Sequence, residues 1–160
     1  MSRNILLSII FTIFTTAFVQ GQAKHAQWTL STKKVSNCEY DLIVNVAIDK
    51  GWHTFSINKI KGAGLEVFPT EITFKPNTDY TLVGNLTETK PTPEYDPTIK
   101  KTVLLHYNKV VFVQRVRLNS KDKVQISGTH ESQLCNDRMC ETTPKYKFDF
   151  DLQGTQSCLK

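Results

Sequence analysis

The segment Lys145–Leu152 constrains the fold of this chain most. Aromatic and aliphatic side chains alternate there with charged ones, the apolar set being Tyr146, Phe148, Phe150 and Leu152. A two-residue period is typical of a half-buried β-strand, because successive side chains of a strand point to opposite faces. The same alternation runs from Glu39 to Ile48. No helical period follows the first 23 residues, so the patterning predicts an all-β protein.

Turn-forming residues divide the rest of the chain into further short strands. Strand-like runs are predicted at 39–48, 52–57, 71–74, 80–86, 101–107, 110–118, 124–134 and 145–152. The short connection Asn108-Lys109 predicts a hairpin. The stretch 89–97 contains Pro91, Pro93 and Pro97 and is predicted to be a loop, since proline lacks the N–H donor of a central strand. About seven to nine strands at this spacing predict an immunoglobulin-like antiparallel β-sandwich.

The first 23 residues have the layout of a secretory signal peptide. Arg3 precedes the apolar run Ile5–Val19, and small residues follow up to Ala23. This order of a positive start, an apolar run and a small-residue cleavage site is typical of export signals. The run is shorter than the ~20 apolar residues that a membrane-spanning helix needs. We therefore predict a signal peptide at 1–23, a single domain at 24–160, and a periplasmic or secreted mature protein that is not inserted in the membrane.

The excess of basic over acidic residues does not indicate a nucleic-acid partner. The formal net charge is +5, and the basic residues are scattered, with pairs such as Lys33-Lys34 and Lys100-Lys101 rather than patches. No nucleic-acid-binding motif accompanies them. The positive charge is therefore interpreted as a solvated surface.

The polar stretch Ser132–Pro144 is the main candidate for function. It contains Cys135 and Cys140, two of the four cysteines. Asn136-Asp137 lies between them and favours a chain reversal, since short Asx side chains bond their own backbone. A reversal there brings the two sulfurs together. The pair then serves as a structural disulfide, as a redox-active dithiol, or as half of a zinc site.

The redox interpretation is favoured over the other two. A disulfide that closes about six residues contributes only ~2 kcal/mol, so a purely structural role gains little. Zinc would need further ligands such as His130, and no second cysteine pair of this spacing exists, so neither a metal nor another cofactor is expected. Arg138 would stabilise a thiolate, whereas Asp137 and Glu141 would oppose it. His130, His53 and His106 are interpreted as ordinary strand residues.

Cys38 and Cys158 lie near the two ends of the predicted domain. If they pair, their disulfide closes the long loop that gives the larger stabilisation. Cys158 is equally compatible with an unpaired position on a loose tail, so the sequence leaves this structural disulfide open.

Three segments of the chain form a recognisable set in their order and spacing: Gly51–Ser56 (GWHTFS), Phe68–Phe74 (FPTEITF) and Cys135–Cys140 (CNDRMC). On these segments, the chain over Cys38–Leu152 resembles the N-terminal periplasmic domain of the thiol:disulfide interchange protein DsbD. The resemblance implies an immunoglobulin-like domain whose two cysteines pass electrons between thioredoxin-like or DsbD-like redox proteins and exported disulfide-bonded proteins. By position, Cys140 looks like the cysteine that forms the mixed disulfide and Cys135 like its resolving partner.

The resemblance also implies a cap over the dithiol. The family shields its cysteines with a loop that carries an aromatic ring, and the Pro91–Pro97 loop lies at the corresponding place. Glu94, Tyr95 and Asp96 are the cap candidates, with Tyr95 as the ring. The chain departs from the family in having Thr142 and Thr143 before a single Pro144. It is also expected to act as a stand-alone domain that receives electrons from a separate protein.

Two functional hypotheses follow from the sequence. The first is an exported thiol–disulfide exchange domain with oxidoreductase-type activity, which uses Cys135 and Cys140. The second is a non-catalytic immunoglobulin-like binding or structural module with an inert disulfide. A fold does not by itself determine a function, so the second hypothesis stays open at this point.

Overall fold

The computed structural model describes residues 24–59 and 67–159. The predicted signal peptide and residues 60–66 of the segment between the second and third predicted strands lie outside the described residues. Within the described residues, no helix is long and apolar enough to cross a membrane. The strands are β1 (Ala26–Lys34), β2 (Glu39–Ile48), β3 (His53–Phe55), β4 (Glu71–Phe74), β5 (Tyr80–Glu88), β6 (Thr92–Asp96), β7 (Lys101–Tyr107), β8 (Lys109–Leu118), β9 (Lys123–Glu131), β10 (Gln133–Cys135), β11 (Cys140–Thr142) and β12 (Tyr146–Gln153), followed by a 3₁₀ helix at Gln156–Cys158.

These strands form three antiparallel sheets. Sheet A has the order β1-β2-β8-β5, sheet B the order β11-β10-β3-β7-β6, and sheet C the order β12-β9-β4. The apolar faces of sheets A and C share one buried core, which includes Leu42, Val44, Phe112, Ile126 and Phe148. The prediction of an all-β, immunoglobulin-like antiparallel sandwich is confirmed.

The strands with the clearest alternation are the ones predicted best. Both β2 and β4 have the predicted bounds, and β12 buries Phe148, Phe150 and Leu152 while its charged residues face solvent. The first strand, β1, was not predicted from the sequence. It does alternate, since Ala26, Trp28 and Leu30 are buried and the two residues between them, Gln27 and Thr29, are exposed.

The predicted hairpin at Asn108-Lys109 is wrong. The strands on either side of it belong to different sheets, β7 to sheet B and β8 to sheet A. Asn108 has a positive φ of 59°, which Asn tolerates better than most residues, and its carbonyl accepts a hydrogen bond from the N–H of Ile48 at 2.8 Å. The tight turn therefore carries the chain from sheet B to sheet A.

Two further assignments also need correction. The predicted loop at 89–97 contains the five-residue strand β6, which pairs with β7 at the edge of sheet B. Pro93 fits there because an edge strand leaves one side of its backbone unpaired. The predicted strand 124–134 is divided at Ser132, since β9 belongs to sheet C and β10 to sheet B.

Sheet B has a small apolar cluster of its own. Phe55, Val103, Leu105 and Cys135 are buried together, and Val67 and Ile99 pack against them. This cluster is separate from the main core. One cysteine of the candidate pair therefore lies within a local apolar layer at one end of the molecule.

A disulfide joins the two ends of the described domain. Cys38 and Cys158 are bonded, with their Cα atoms 5.3 Å apart and 120 positions apart in sequence. Both residues are buried in the main core. The pairing that the sequence left open is thus present in this structure.

Candidate functional site

The second disulfide joins Cys135 to Cys140 across a two-stranded turn. Cys135 ends β10, Cys140 begins β11, and the two residues are directly opposite each other in the ladder. The turn forms as the sequence indicates, because the Asn136 side-chain oxygen accepts hydrogen bonds from the N–H groups of Arg138 and Met139 at 2.8 and 2.9 Å. These bonds hold the reversal that brings the sulfurs together.

The hydrogen-bond pattern of the backbone explains why Cys135 and Cys140 are close enough to form a disulfide. The N–H of Asn136 donates to the carbonyl of Met139 at 2.9 Å, so these neighbours form a hydrogen-bonded pair. Pairs alternate in an antiparallel ladder, and the next pair is therefore a closer, non-hydrogen-bonded one. The Cα atoms of Cys135 and Cys140 are 4.0 Å apart. In such a pair the backbone N–H and C=O groups of Cys140 point away from β10.

The two sulfur-bearing residues have unequal access to solvent. Cys135 is only 3% exposed and belongs to the apolar cluster of sheet B. Cys140 is exposed and lies on β11, where no further strand pairs within the described part of the chain. Met139 beside it is 51% exposed. The disulfide therefore meets solvent on the side of Cys140 and is buried on the side of Cys135.

A histidine lies beside the buried half of the disulfide. His53 on β3 is directly opposite Cys135 on one side and Tyr107 on the other. Directly opposite residues of an antiparallel pair point to the same face, with Cβ atoms about 4.5–5.5 Å apart. The rings of His53 and Tyr107 are tilted against each other with centroids 5.4 Å apart. Sequence reasoning treated His53 as an ordinary strand residue because only sheet pairing brings it to the cysteines.

Acidic groups surround these two rings. Burial lowers the pKa of His53, and the negative charges of Glu94 and Asp137 offset part of that decrease. Burial, a hydrogen bond that the phenol donates to Glu94, and the negative charges of Glu94 and Asp137 together raise the pKa of Tyr107 to about 12. At neutral pH, His53 is therefore an uncharged imidazole next to a protonated phenol.

The predicted cap residues lie in the β6–β7 hairpin and have different surroundings. Glu94 is on the face that carries Val103, which belongs to the cluster around Cys135. Tyr95, the next residue, points to the opposite face and is 66% exposed. The carboxylate of Asp96 accepts a hydrogen bond from the N–H of Thr98 at 2.8 Å and so holds the hairpin turn. Ile99 in that turn packs against the cluster.

The structure does not bring together the ligands considered for zinc. His130 is buried, with its ring stacked on Trp28 at 3.8 Å between centroids. Within the described residues, no group of three or more His, Cys, Asp or Glu side chains is close enough to hold a metal ion.

A separate buried polar cluster lies beneath sheet B. The Glu88 carboxylate accepts hydrogen bonds from His106 at 2.9 Å, from the N–H of Ile57 at 3.1 Å, from Asn58 at 3.0 Å and from Ser56. Burial alone would raise the pKa of Glu88, but the hydrogen bonds from His106, Ser56 and Ile57 and the charge of His106 together lower it. All these partners are satisfied within the protein, so the cluster is structural.

Fold and site together define an antiparallel β-sandwich with one exposed disulfide at a sheet edge. No known protein family matches the sequence, and no curated protein matches it either. The N-terminal periplasmic domain of ScsB from Proteus mirabilis is similar in structure, with a TM-score of 0.51 and 19% identity over 82% of this chain and 47% of that one. The chain thus spans about half the length of that structure.

Two other solved structures are less similar. The N-terminal domain of Neisseria meningitidis DsbD in its reduced form has a TM-score of 0.47 and 11% identity over 79% of this chain and 85% of that one. The yeast GGA1 GAE domain has a TM-score of 0.45 and 8% identity over 82% of this chain and 96% of that one. The expected likeness to a DsbD-type N-terminal periplasmic domain is confirmed for the fold.

Proposed function

We propose that this chain is an exported thiol–disulfide exchange domain. Residues 1–23 serve as its signal peptide, and residues 24–160 form the single domain that carries the reaction. Its partners are thioredoxin-like or DsbD-like redox proteins on one side and exported disulfide-bonded proteins on the other. The reaction needs no cofactor, because the electrons are carried by the two sulfurs.

One observation carries this proposal: the unequal exposure of the two cysteines. Exchange requires that a partner thiolate approach one sulfur in line with the bond, while the other sulfur leaves. Cys140 is exposed on the edge strand β11, and Cys135 is buried. This arrangement directs attack to Cys140 and keeps Cys135 in place as the resolving cysteine. A disulfide with a purely structural role gains nothing from such asymmetry.

The edge strand also supplies a way to hold the partner. The backbone groups of Cys140 that point away from β10 are available to an extended segment of another protein. Such pairing positions the partner sulfur close to Cys140 without a deep pocket. The exposed side chain of Met139 adds apolar contact beside it.

Trapping of the mixed disulfide tests the proposal. In Cys135→Ala, Cys140 lacks its resolving partner, so the protein recovered from exporting cells should carry a lasting disulfide to a thioredoxin-like protein. Cys140→Ala should trap at least tenfold less, since the remaining sulfur is buried. Mass spectrometry of the trapped complexes identifies the partner and also reads the mature N-terminus near residue 24.

A matched control keeps this experiment specific. In the Cys38→Ser, Cys158→Ser double variant, the other disulfide is lost while Cys135 and Cys140 remain, and exchange should persist. The reduction potential of the Cys135–Cys140 pair should lie above about −300 mV, since structural disulfides usually lie below that value. If neither single variant captures any exported protein and the potential is below that range, the disulfide is inert and the proposal is wrong.

A further inference from the structure

The resolving cysteine lies where ionisation is unfavourable. Cys135 is 3% exposed and packs with Phe55, Val103 and Leu105. Apolar surroundings raise the pKa of a thiol, yet only the thiolate is nucleophilic. Cys140 is exposed to solvent, so burial does not oppose the ionisation of its thiol. Once both cysteines are reduced, Cys135 therefore needs a group that accepts its proton at the moment of attack.

His53 is placed to be that group. It is directly opposite Cys135 in the pairing of β3 with β10, and both side chains are on the same face of sheet B. The other ionisable groups that act on it are Glu94 from β6, Tyr107 from β7 and Asp137 from the β10–β11 turn. Tyr107 holds its own proton and the carboxylates are weak bases, so the imidazole is the strongest available proton acceptor at neutral pH.

We infer that His53 is the proton acceptor and donor for Cys135 during exchange; this inference rests on the proposed function. When the reduced domain acts, the Cys140 thiolate attacks a partner disulfide, a Cys140–partner bond forms, and the second partner sulfur leaves as a thiolate. His53 then removes the proton from the Cys135 thiol. The Cys135 sulfur attacks Cys140, their disulfide forms, and the bond to the partner breaks.

Protons and electrons balance in this sequence. Two electrons pass from the two cysteines to the partner disulfide, whose two sulfurs leave as thiolates. One takes the proton held on His53, which returns the imidazole to its neutral form, and the other takes from water the proton that Cys140 released when it ionised. In the opposite direction a partner thiolate attacks Cys140, and His53 returns a proton to the Cys135 sulfur that leaves. The uncharged state of the ring at neutral pH suits the first direction.

Glutathione disulfide is a suitable probe, because it separates the two steps. The reduced full chain is mixed with it, quenched with acid at successive times and analysed by mass spectrometry. The first step yields glutathione bound to Cys140, and the second releases it as the internal disulfide forms. In His53→Gln, capture should be unchanged within twofold, whereas release at neutral pH should slow by about tenfold to a hundredfold, as expected for loss of a general base.

The pH dependence distinguishes a proton acceptor from a structural residue. In the wild type, release should rise through an inflection below pH 6.5, level off, and rise again when the thiol ionises unaided. His53→Gln should retain only the alkaline rise. In His53→Ala, added imidazole should restore part of the rate. His25→Gln is the matched control, because the His25 ring is hydrogen-bonded to Asp49 at 3.2 Å, and it should behave as the wild type.

Each outcome decides one point. Equal release rates and equal pH profiles in wild type and a folded His53→Gln would overturn the role of His53, while capture at Cys140 would leave the proposed function intact. If His53→Gln does not fold, imidazole rescue of His53→Ala decides instead, and absence of rescue counts against the inference. No capture of glutathione at Cys140 in the wild type would overturn the proposed function and this inference with it.

Discussion

At the scale of single residues, three of the histidines differ in the groups that surround their rings. His106 bonds to the Glu88 carboxylate at 2.9 Å, and His53 lies opposite Cys135. His130 is stacked on Trp28 inside the core, and neither of its ring nitrogens has a hydrogen-bond partner among the described residues. His106 is thus part of a polar network, His53 lies beside the disulfide, and His130 is buried in the core.

His130 should make the protein less stable in weak acid. Burial lowers its pKa to about 4 from the usual 6.5. Because the unfolded chain binds a proton more readily, the free energy of unfolding decreases as the pH falls from 6.5 to 4. The full loss for such a shift is about 3 kcal/mol. Urea unfolding of wild type and His130→Phe at several pH values measures it, and the variant should lack most of the decrease in this window, the remainder coming from His53, whose pKa is also lowered by burial.

The titration of Glu88 distinguishes the effect of His130 from general unfolding in acid. The pKa of Glu88 is lowered in the folded protein, so its stabilising contribution is present at higher pH and is lost only as the pH falls below the ordinary carboxyl range. His130→Phe should therefore still lose stability in stronger acid. A decrease between pH 6.5 and 4 of the same size in both proteins would contradict the role assigned to His130.

At the scale of elements, the β6–β7 hairpin belongs to the same sheet as the candidate site and contributes side chains to its face. Its two strands supply Glu94 and Val103 to the face of the disulfide, and its turn brings Ile99 against the buried cluster. The turn is held by Asp96, whose carboxylate accepts from the N–H groups of Thr98 and Ile99. Proline in β6 fits the edge position and limits the freedom of the strand. The segment that the family resemblance assigns to the cap is therefore a strand of a hairpin rather than a loop.

The hairpin should protect the cysteine pair from stray thiol reagents. We expect Ile99→Ala to raise the labelling rate of the reduced cysteines severalfold, because it removes an apolar contact above the Cys135 cluster. Tyr95→Ala is the matched comparison, since Tyr95 is 66% exposed. The cap role of Tyr95 stays a prediction of the family resemblance, and a faster labelling rate in Tyr95→Ala alone would favour it over Ile99. Mass-resolved alkylation of each cysteine measures both variants.

At the scale of the whole molecule, the two disulfides close loops of very different length. Cys38–Cys158 closes a separation of 120 residues and is buried in the main core. Cys135–Cys140 closes a separation of 5 residues at a sheet edge. Loop-closure entropy grows with loop length, so the first bond contributes the larger stabilisation and the second contributes little. In the proposed function, stability and exchange chemistry therefore belong to different cysteine pairs.

Removal of each disulfide should show this separation. The Cys38→Ser, Cys158→Ser variant should lose up to about 5 kcal/mol of unfolding free energy, whereas Cys135→Ala, Cys140→Ala should lose about 2 kcal/mol. Chemical denaturation of both double variants under non-reducing conditions measures the two losses. A larger loss for the Cys135–Cys140 pair would show that the edge disulfide is the structural one.

The sequence by itself determined the features that depend on neighbours along the chain. The two-residue alternation of Glu39–Ile48 and Tyr146–Gln153 depends on the pleat of a strand, and the turn at Asn136 depends on a side chain that bonds its own backbone. The pairing of Cys135 with Cys140 follows from that turn. These features are local, so residue type and spacing are enough to predict them.

Only the tertiary structure decided the features that depend on sheet pairing. Asn108 was predicted to connect the two strands of a hairpin, yet the strands on either side of it belong to different sheets. The proline-containing segment forms an edge strand because it pairs with β7. His53 and Cys135 are opposite each other although 82 positions (135 minus 53) separate them in the sequence. Strand register is set by long-range packing of apolar faces, which a local pattern does not contain. The exposure of Cys140 and the burial of Cys135 therefore emerged only from the folded arrangement.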